Sequence, residues 1–186
     1  MIILGAGGHG RSVAEVVLAA GVCKLVGFLD DAYPEAEPVW GIPVLGKMAD
    51  WMLFKEQTDN WFVAIGNNAV RATALCALED AGQALATVMH PRAIVSPRAT
   101  LGKGCAIMAG AVVGTEAVLG VGAIVNSGAV VDHHCCVGDF GHLGVGAVMA
   151  GGSVLGKGAW MQANSALGYD VVIEQGRVLV PGEIAR

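Results

Sequence analysis

The sequence predicts a two-part chain: a small α/β unit of βαβαβ type over residues 1–89, then a solenoid of short parallel strands over residues 90–186. Three observations carry this reading. From Val95 through Leu101, Ile107, Val113, Leu119, Val125 and Val131 to Ile173 and Leu179, all fifteen positions spaced six apart are Val, Leu, Ile or Met. Those types make up roughly a third of the chain, so such a run would arise by chance on the order of once in ten million. Through Met161, the residue four positions later is small, as at Ala99, Cys105, Ala111, Ala129, Cys135, Gly141 and Ser153. Finally, the apolar run Met1-Ile2-Ile3-Leu4 leads straight into the glycine loop Gly5-Ala6-Gly7-Gly8-His9-Gly10.

Period six excludes a helix, because six is a multiple of neither 3.6 nor 7, and an ordinary strand would show period two. A Leu-Gly or Val-Gly pair also returns every eighteen residues, at Leu101-Gly102, Leu119-Gly120, Val137-Gly138 and Leu155-Gly156. Period six nested in eighteen means three flat strands per coil. No single hexad can bury its apolar side chain, but stacked coils place all of them in one interior column. The small residues are expected at the corners, where a larger side chain would clash, with glycine supplying the φ > 0 conformations that corners need.

In the N-terminal unit, Ile2–Leu4 reads as a buried strand and the glycine loop as a tight turn. Arg11–Ala20 reads as a helix with Val13, Val16, Val17 and Ala20 on one face. Lys24–Leu29 is a second strand ending at Asp30-Asp31, and 32–40 is loop, with Pro34 and Pro38. Trp61–Ile65 is a third strand ending at Gly66-Asn67-Asn68. Asn68 caps a helix to about Ala81, which Gly82 closes. Leu85–Met89 is a last short strand, and His90-Pro91 marks the junction because the residue before proline is pushed out of helix.

At 186 residues the chain holds one large or two modest domains. A formal charge of −5 without a basic cluster argues against a nucleic-acid partner. Mean hydropathy is high at +0.60, yet no uncharged apolar run approaches a membrane span. The excess fits a solenoid core plus a subunit interface, so no membrane partner is expected. No basic start or cleavage site surrounds Met1, so no signal peptide is expected. Five cysteines, an odd number without framework spacing, suit reduced thiols and a cytoplasmic location.

Gly5-x-Gly7-x-x-Gly10 between strand and helix is the dinucleotide fingerprint, with Asp30 about twenty residues on. NAD is one reading. Against it, no second mononucleotide half follows, and His9 is a polar residue that a bare pyrophosphate turn does not require. The fingerprint reports backbone approaching phosphate at a helix N-terminus, which a nucleotide-sugar diphosphate satisfies equally. Glycines serving the fold alone are the bland alternative.

The hexad [LIV]-G-x-x-[small]-x resembles the left-handed parallel β-helix of the hexapeptide-repeat acyltransferases. Joined to a half-Rossmann domain carrying GAGGHG, FLDD, GIPVLG and AIGNN, the chain resembles the bacterial nucleotide-sugar acetyltransferases. These modify UDP-4-amino-4-deoxy sugars for glycan or O-antigen synthesis, and the sialic-acid O-acetyltransferases are a sister group. The resemblance covers nearly the whole chain. It implies a UDP-sugar bound through Gly7, Gly8, His9, Asp30, Asp31, Gly66 and Asn67. The loop amides face the diphosphate and a carboxylate accepts from uracil or ribose donors. For an isolated Asp-Asp pair, a solvated turn after a strand is the competing reading. Acetyl-CoA is the implied co-substrate, contacted by His142, Gly151, Ala163 and Gly182, in a homotrimer with sites between neighbouring solenoids.

The solenoid concentrates its chemistry in Asp132-His133-His134-Cys135-Cys136-Val137-Gly138-Asp139-Phe140-Gly141-His142. Between Ala99 and Leu167 only Lys103, Glu116, Asp132, Asp139 and Lys157 are charged. The family pattern His-acid-Cys-x-x-Gly-acid-Phe-x-His places the general base on His133 and an acetyl-CoA contact on His142. An imidazole with a pKa near ~6.5 takes a proton at neutral pH. The thioester is already activated, so the protein must deprotonate and orient the acceptor, with a backbone N–H or His142 stabilising the oxyanion. One position departs from the pattern: the acid after the base is His134. That makes His134 the rival base and leaves Asp132 or Asp139 to replace the carboxylate. Consecutive residues on a flat strand point to opposite sides. On that argument His133 and His134 cannot both reach the acceptor, and His133, His134, Cys135 and Cys136 cannot converge on a metal.

The expected activity is acetyl-CoA-dependent N-acetylation of a UDP-amino sugar. A sugar O-acetyltransferase is the near alternative, and a non-catalytic nucleotide-sugar-binding solenoid the distant one. The clustered histidines count against the last.

Overall fold

Four parallel strands form the sheet of the first unit, Met1–Ala86, in the computed structural model, which describes residues 1–186. The elements run β1 (Ile2–Leu4), α1 (Gly8–Ala20), β2 (Gly27–Leu29), β3 (Val44–Gly46), a 3₁₀ helix (Met48–Gln57), β4 (Trp61–Val63) and α2 (Asn68–Asp80). The sheet order is β3-β2-β1-β4. Every residue of β1, β2 and β4 is buried, which a parallel strand covered on both faces requires of its sequence. The strands expected at 24–29 and 61–65 are three residues each, and neither β3 nor the 3₁₀ helix was anticipated. Three-residue β3 is too short to show a period, and pairs only at the sheet edge, Phe28 opposite Val44.

Helix α1 buries Gly10, Val13, Ala14, Val16 and Val17 against this sheet unit, and closes on Gly21 in the left-handed conformation, whose N–H reaches the Val17 carbonyl. It starts at Gly8, so part of the glycine loop is already helix. Helix α2 is capped by Asn67 rather than Asn68: the Asn67 side chain accepts from the N–H groups of Ala69 and Val70.

The second unit, Thr87–Arg186, is a parallel β-helix. Two-residue strands fall into three parallel sheets of five, six and six strands. Each strand pairs with the one eighteen residues away, as in Val112, Val130 and Val148 or Ala106, Ile124 and His142. The period-six residues form the interior column: Ile107, Leu119, Val125, Val131, Leu143, Met149, Leu155 and Met161 are at most 1% exposed. Each such side chain contributes roughly 1.5–3 kcal/mol of burial.

The small register corrects the sequence expectation. Ala111, Ala117, Ala123, Ala129, Cys135 and Ala147 are fully buried beside the apolar column, at the residue entering each strand, so they fill the interior rather than the corners. The corner lies one residue earlier, and there φ is positive: Gly110, Gly122, Gly128, Gly146 and Gly158 occupy it, and so do Glu116, His134, Phe140, Asn164 and Asp170. The glycine that recurs every eighteen residues has a different cause. A Cβ on Gly102 would sit 2.7 Å from the Gly120 carbonyl carbon, and one on Gly138 would sit 2.6 Å from the Lys157 nitrogen. Backbone of the next coil occupies the space.

The strand expected at Leu85–Met89 divides. Leu85 bridges Trp61 in the first unit, whereas Val88–Met89 pairs with Ala106–Ile107 in a β-helix sheet. No helix in the chain is long and apolar enough to cross a membrane.

Candidate functional site

In the first unit, a cleft of about 320 Å³ opens where β1, β2 and β4 end, lined by the glycine loop, His9, Asp30, Asp31, Met48, Ile65 and Gly66. Its glycines divide into two kinds. Gly5 has φ +101, and a Cβ there would meet the Ala64 carbonyl oxygen at 2.8 Å; a Cβ on Gly10 would collide with the Gly5 carbonyl. Those two serve the fold, by turning the loop and letting helix approach strand. A Cβ on Gly7, Gly8 or Gly66 would meet nothing within 4 Å. The space beside those three is open, so a ligand could approach their backbone closely.

Gly7 caps α1 without a side-chain acceptor, which leaves first-turn N–H groups for an anion. Asp30 braces the loop: its carboxylate accepts from Ala6 N at 2.6 Å and from Ala32 N at 2.9 Å. Asp31 accepts from Met48 N at 3.1 Å, tying the 3₁₀ helix to the cleft. Asn67 spends its side-chain oxygen on the α2 cap.

Sequence reading missed Arg71. It is 1% exposed, and its guanidinium donates to the carbonyls of Ile65 (2.9 Å) and Gly66 (3.2 Å) and to Asn68 Oδ1 (2.9 Å). A fixed positive charge therefore stands behind the Gly66 turn. Burial, and secondarily that charge, hold His9 neutral by lowering its pKa to about 4. Its buried Nε2 has no hydrogen-bond partner within the chain, an orphan that a ligand oxygen would satisfy.

In the second unit His133 and His134 stand at a corner, and two expectations change. Thr115-Glu116, His133-His134, Gly151-Gly152 and Tyr169-Asp170 stack there on successive coils. His134 N donates to Thr115 O (3.0 Å), Gly152 N to His133 O (3.0 Å) and Asp170 N to Gly151 O (3.1 Å). His133 and His134 are turn residues, not strand residues, so alternation does not separate them. Their Nδ1 atoms are 2.9 Å apart and their rings meet edge to face.

Of the two acids expected to replace the missing carboxylate, Asp132 stands beside His133 and Asp139 does not, and Glu116 joins Asp132 at this corner. Glu116 Oε2 lies 2.7 Å from His134 Nε2. Asp132 accepts from the His133 backbone N–H at 2.7 Å, and its other oxygen is 3.8 Å from His133 Nε2. Asp139 accepts from Val121 N at 2.9 Å and so ties coil to coil. Gly151 lies directly beneath His133: a Cβ there would be 2.6 Å from His133 Nε2, so the ring occupies space that only glycine leaves.

The remaining expected residues lie elsewhere on the β-helix. His142 is 6% exposed, on a sheet face between Ile124 and Trp160, with its ring stacked 5.4 Å from that of Trp160. Ala163 and Gly182 meet at a different corner, where Gly182 N donates to Ala163 O at 3.0 Å.

Residues 1–78 match the family described as the PglD N-terminal domain. Among solved structures, a mutant of perosamine N-acetyltransferase from Caulobacter crescentus in complex with CoA and GDP-perosamine is similar at 33% identity, over 99% of this chain and 90% of that one, with a TM-score of 0.87. PerB from the same organism, in complex with the same two molecules, is similar at 34% identity over 100% and 90% of the two chains, with a TM-score of 0.82. The acetyltransferase domain of PglB from Neisseria gonorrhoeae FA1090, in complex with acetyl coenzyme A, is similar at 34% identity over 98% and 91%, with a TM-score of 0.78. No curated protein sequence matches the chain.

Proposed function

The chain belongs to the nucleotide-sugar acetyltransferases that join a PglD-type N-terminal domain to a left-handed parallel β-helix, and from that premise we propose that it N-acetylates a nucleotide-linked amino sugar with His133 as general base. It is an acyltransferase, and acetyl-CoA is its co-substrate. The observation that carries the base assignment is the corner where Glu116, His134 and His133 stand in hydrogen-bonding succession over Gly151.

The chemistry follows from that corner. The sugar amine attacks the thioester carbon, and its proton passes to His133 Nε2. Collapse of the tetrahedral intermediate breaks the C–S bond, and the proton leaves with the CoA sulfur as a thiol. General-base assistance of this kind contributes roughly 10²–10⁴ in rate. His142, buried on its sheet face, is assigned to acetyl-CoA together with Ala163 and Gly182. Gly151 is assigned first to seating His133, with a cofactor contact second.

For the nucleotide, Gly7, Gly8 and His9 are assigned to the diphosphate, and Asp31, Gly66 and Asn67 to the rest of the nucleotide sugar, with Asp30 bracing the loop. The resemblance in sequence favours a UDP-4-amino sugar. A GDP-linked amino sugar is the second reading, favoured by the GDP-perosamine held in two similar Caulobacter crescentus structures at 33% and 34% identity. Five free cysteines suit a reducing compartment, and we assign the protein to the cytoplasm.

We also assign a homotrimer. On the outer face of one β-helix sheet, Ile94, Val112, Val130, Val148, Ala166 and Ile184 form an unbroken apolar column. Ile94 is 68% and Ile184 58% exposed. Cyclic packing of three prisms would cover such a face, and sedimentation as a monomer at micromolar concentration would refute it. The base assignment is tested by steady-state kinetics. His133→Ala should cut turnover by roughly 10²–10⁴ with little change in acetyl-CoA affinity, whereas His142→Ala should mainly raise the KM for acetyl-CoA. Near-wild-type turnover in His133→Ala would end the assignment.

A further inference from the structure

Asp132, the carboxylate beside the base assigned above, stands 3.8 Å from its Nε2 and does not hydrogen-bond the ring, and the corner supplies a second carboxylate through His134. We infer that Glu116, acting through His134, fixes the protonation of His133, so that the three residues work as one relay; this rests on His133 being the base. Four ring nitrogens share two protons when both imidazoles are neutral. A carboxylate only accepts hydrogen bonds when ionised, so the 2.7 Å contact with Glu116 Oε2 places the proton of neutral His134 on Nε2. His134 Nδ1 is then a bare lone pair. The 2.9 Å contact between the two Nδ1 atoms needs one donor, and only His133 can provide it. His133 is therefore the Nδ1–H tautomer, and its Nε2 carries the free lone pair that a general base needs.

The surroundings keep that nitrogen available. One oxygen of Asp132 is taken by the His133 backbone N–H, and the other stands 3.8 Å from Nε2, too far to hydrogen-bond it. When Nε2 accepts the amine proton, the Nδ1 proton is free to shift to His134 Nδ1, which leaves His133 neutral and sets the cation on His134 against Glu116. On transfer to the leaving thiolate the protons return by the same path. No proton is gained or lost over the cycle.

The backbone marks the same two-coil arrangement. Glu116 and His134 are both at left-handed φ values, +57 and +58, in a position that glycine fills at about half of the corners. Non-glycine residues held there are mildly strained, and such residues cluster at working sites. The corner also shows which replacements it tolerates: Gly152 and Asp170 occupy the equivalent position on the next two coils.

Those two residues define the test. Glu116→Gly should lower kcat roughly ten- to a hundredfold, less than the ~10²–10⁴ of losing the base, with both KM values unchanged. Adding His134→Asp to Glu116→Gly puts a carboxylate directly beside His133 and should restore most of kcat, which no merely structural role of Glu116 would explain. Turnover is followed with acetyl-CoA and UDP-4-amino-4-deoxy sugar or GDP-perosamine. Independently of turnover, ¹⁵N-histidine NMR of the full chain at alkaline pH should show His133 protonated on Nδ1 and His134 on Nε2, and Glu116→Gly should erase the His134 preference. The opposite tautomer pair, or wild-type kcat in Glu116→Gly, would overturn the relay. Unchanged turnover in His133→Ala alongside the expected tautomers would instead overturn the base assignment beneath it.

Discussion

Replacing Gly151 by alanine adds one methyl group under the ring assigned as base. The new Cβ would stand 2.6 Å from His133 Nε2 and 3.0 Å from Nδ1, with no other part of the chain among its nearest neighbours. Ordinary contact with a ring atom needs roughly 3.5 Å or more, so the imidazole must retreat by about 1 Å. His133 is half exposed and free to swing outward, so the fold absorbs the change. Gly151 has no left-handed φ, and an alanine at such a site stabilises by roughly 0.4–1 kcal/mol through the unfolded chain. Catalysis does not absorb it, because a displacement of about 1 Å in a reacting group costs roughly 10²-fold. The expected signature is a melting temperature equal to or slightly above wild type with kcat reduced on the order of a hundredfold. In a His133→Ala background the same substitution should cost nothing, because the ring it displaces is gone. Wild-type kcat in Gly151→Ala, or an undiminished penalty in the double variant, would refute the reasoning.

Three further expectations concern the two units separately. Val131→Asp buries an unpaired carboxylate in the interior column, where Val131 is 0% exposed, at a cost of several kcal/mol; thermal denaturation should show a loss of roughly 10 °C or more, and an unaltered transition would mean the register is wrong. A Cβ at Gly8 would meet nothing in the chain within 4 Å, so for Gly8→Val calorimetry should find the fold intact and nucleotide-sugar affinity lost; unchanged affinity would remove the phosphate loop. His9 stays neutral down to about pH 4, whereas the unfolded imidazole takes a proton near 6.5, so the unfolded state binds more protons between those values and stability falls as pH drops through that window. His9→Gln should flatten this dependence in denaturant titrations; an unchanged slope would mean His9 is not held neutral.

The β-helix was legible because its geometry is written as a period. Every inward residue from Val95 to Leu179 could be read off, and the same register continues back one hexad to Met89, which an apolar run after α2 disguised as a strand of the first unit. Corner placement was less legible. The small residues and the corner glycines are adjacent in sequence, and only φ separates Cys135, buried, from His134, in the turn. That one-residue error made His133 and His134 look like opposite faces of a strand.

Glu116 was missed although a signal existed: it precedes His134 by eighteen residues, one coil, and so shares its corner. Arg71 had no such signal. It falls on the α2 face that also buries Leu75 and Leu78, and in sequence it reads as a solvated charge. Strand β3 and the 3₁₀ helix are too short to carry a period at all. Of the glycine loop, the sequence marked all five positions of interest but could not sort Gly5 and Gly10, which the fold needs, from Gly7 and Gly8, which it does not.

The central claim is acetyl transfer from acetyl-CoA to the amine of a nucleotide-linked sugar. Its most direct measurement is thiol release from acetyl-CoA across UDP-4-amino sugars, UDP-3-amino sugars, GDP-perosamine and free sialic acid, with the product identified by mass. The account predicts an added acetyl group on the amine of a nucleotide-linked 4-amino sugar and none on free sialic acid. Thiol release that requires free sialic acid, or none with any nucleotide-linked amino sugar, would contradict it.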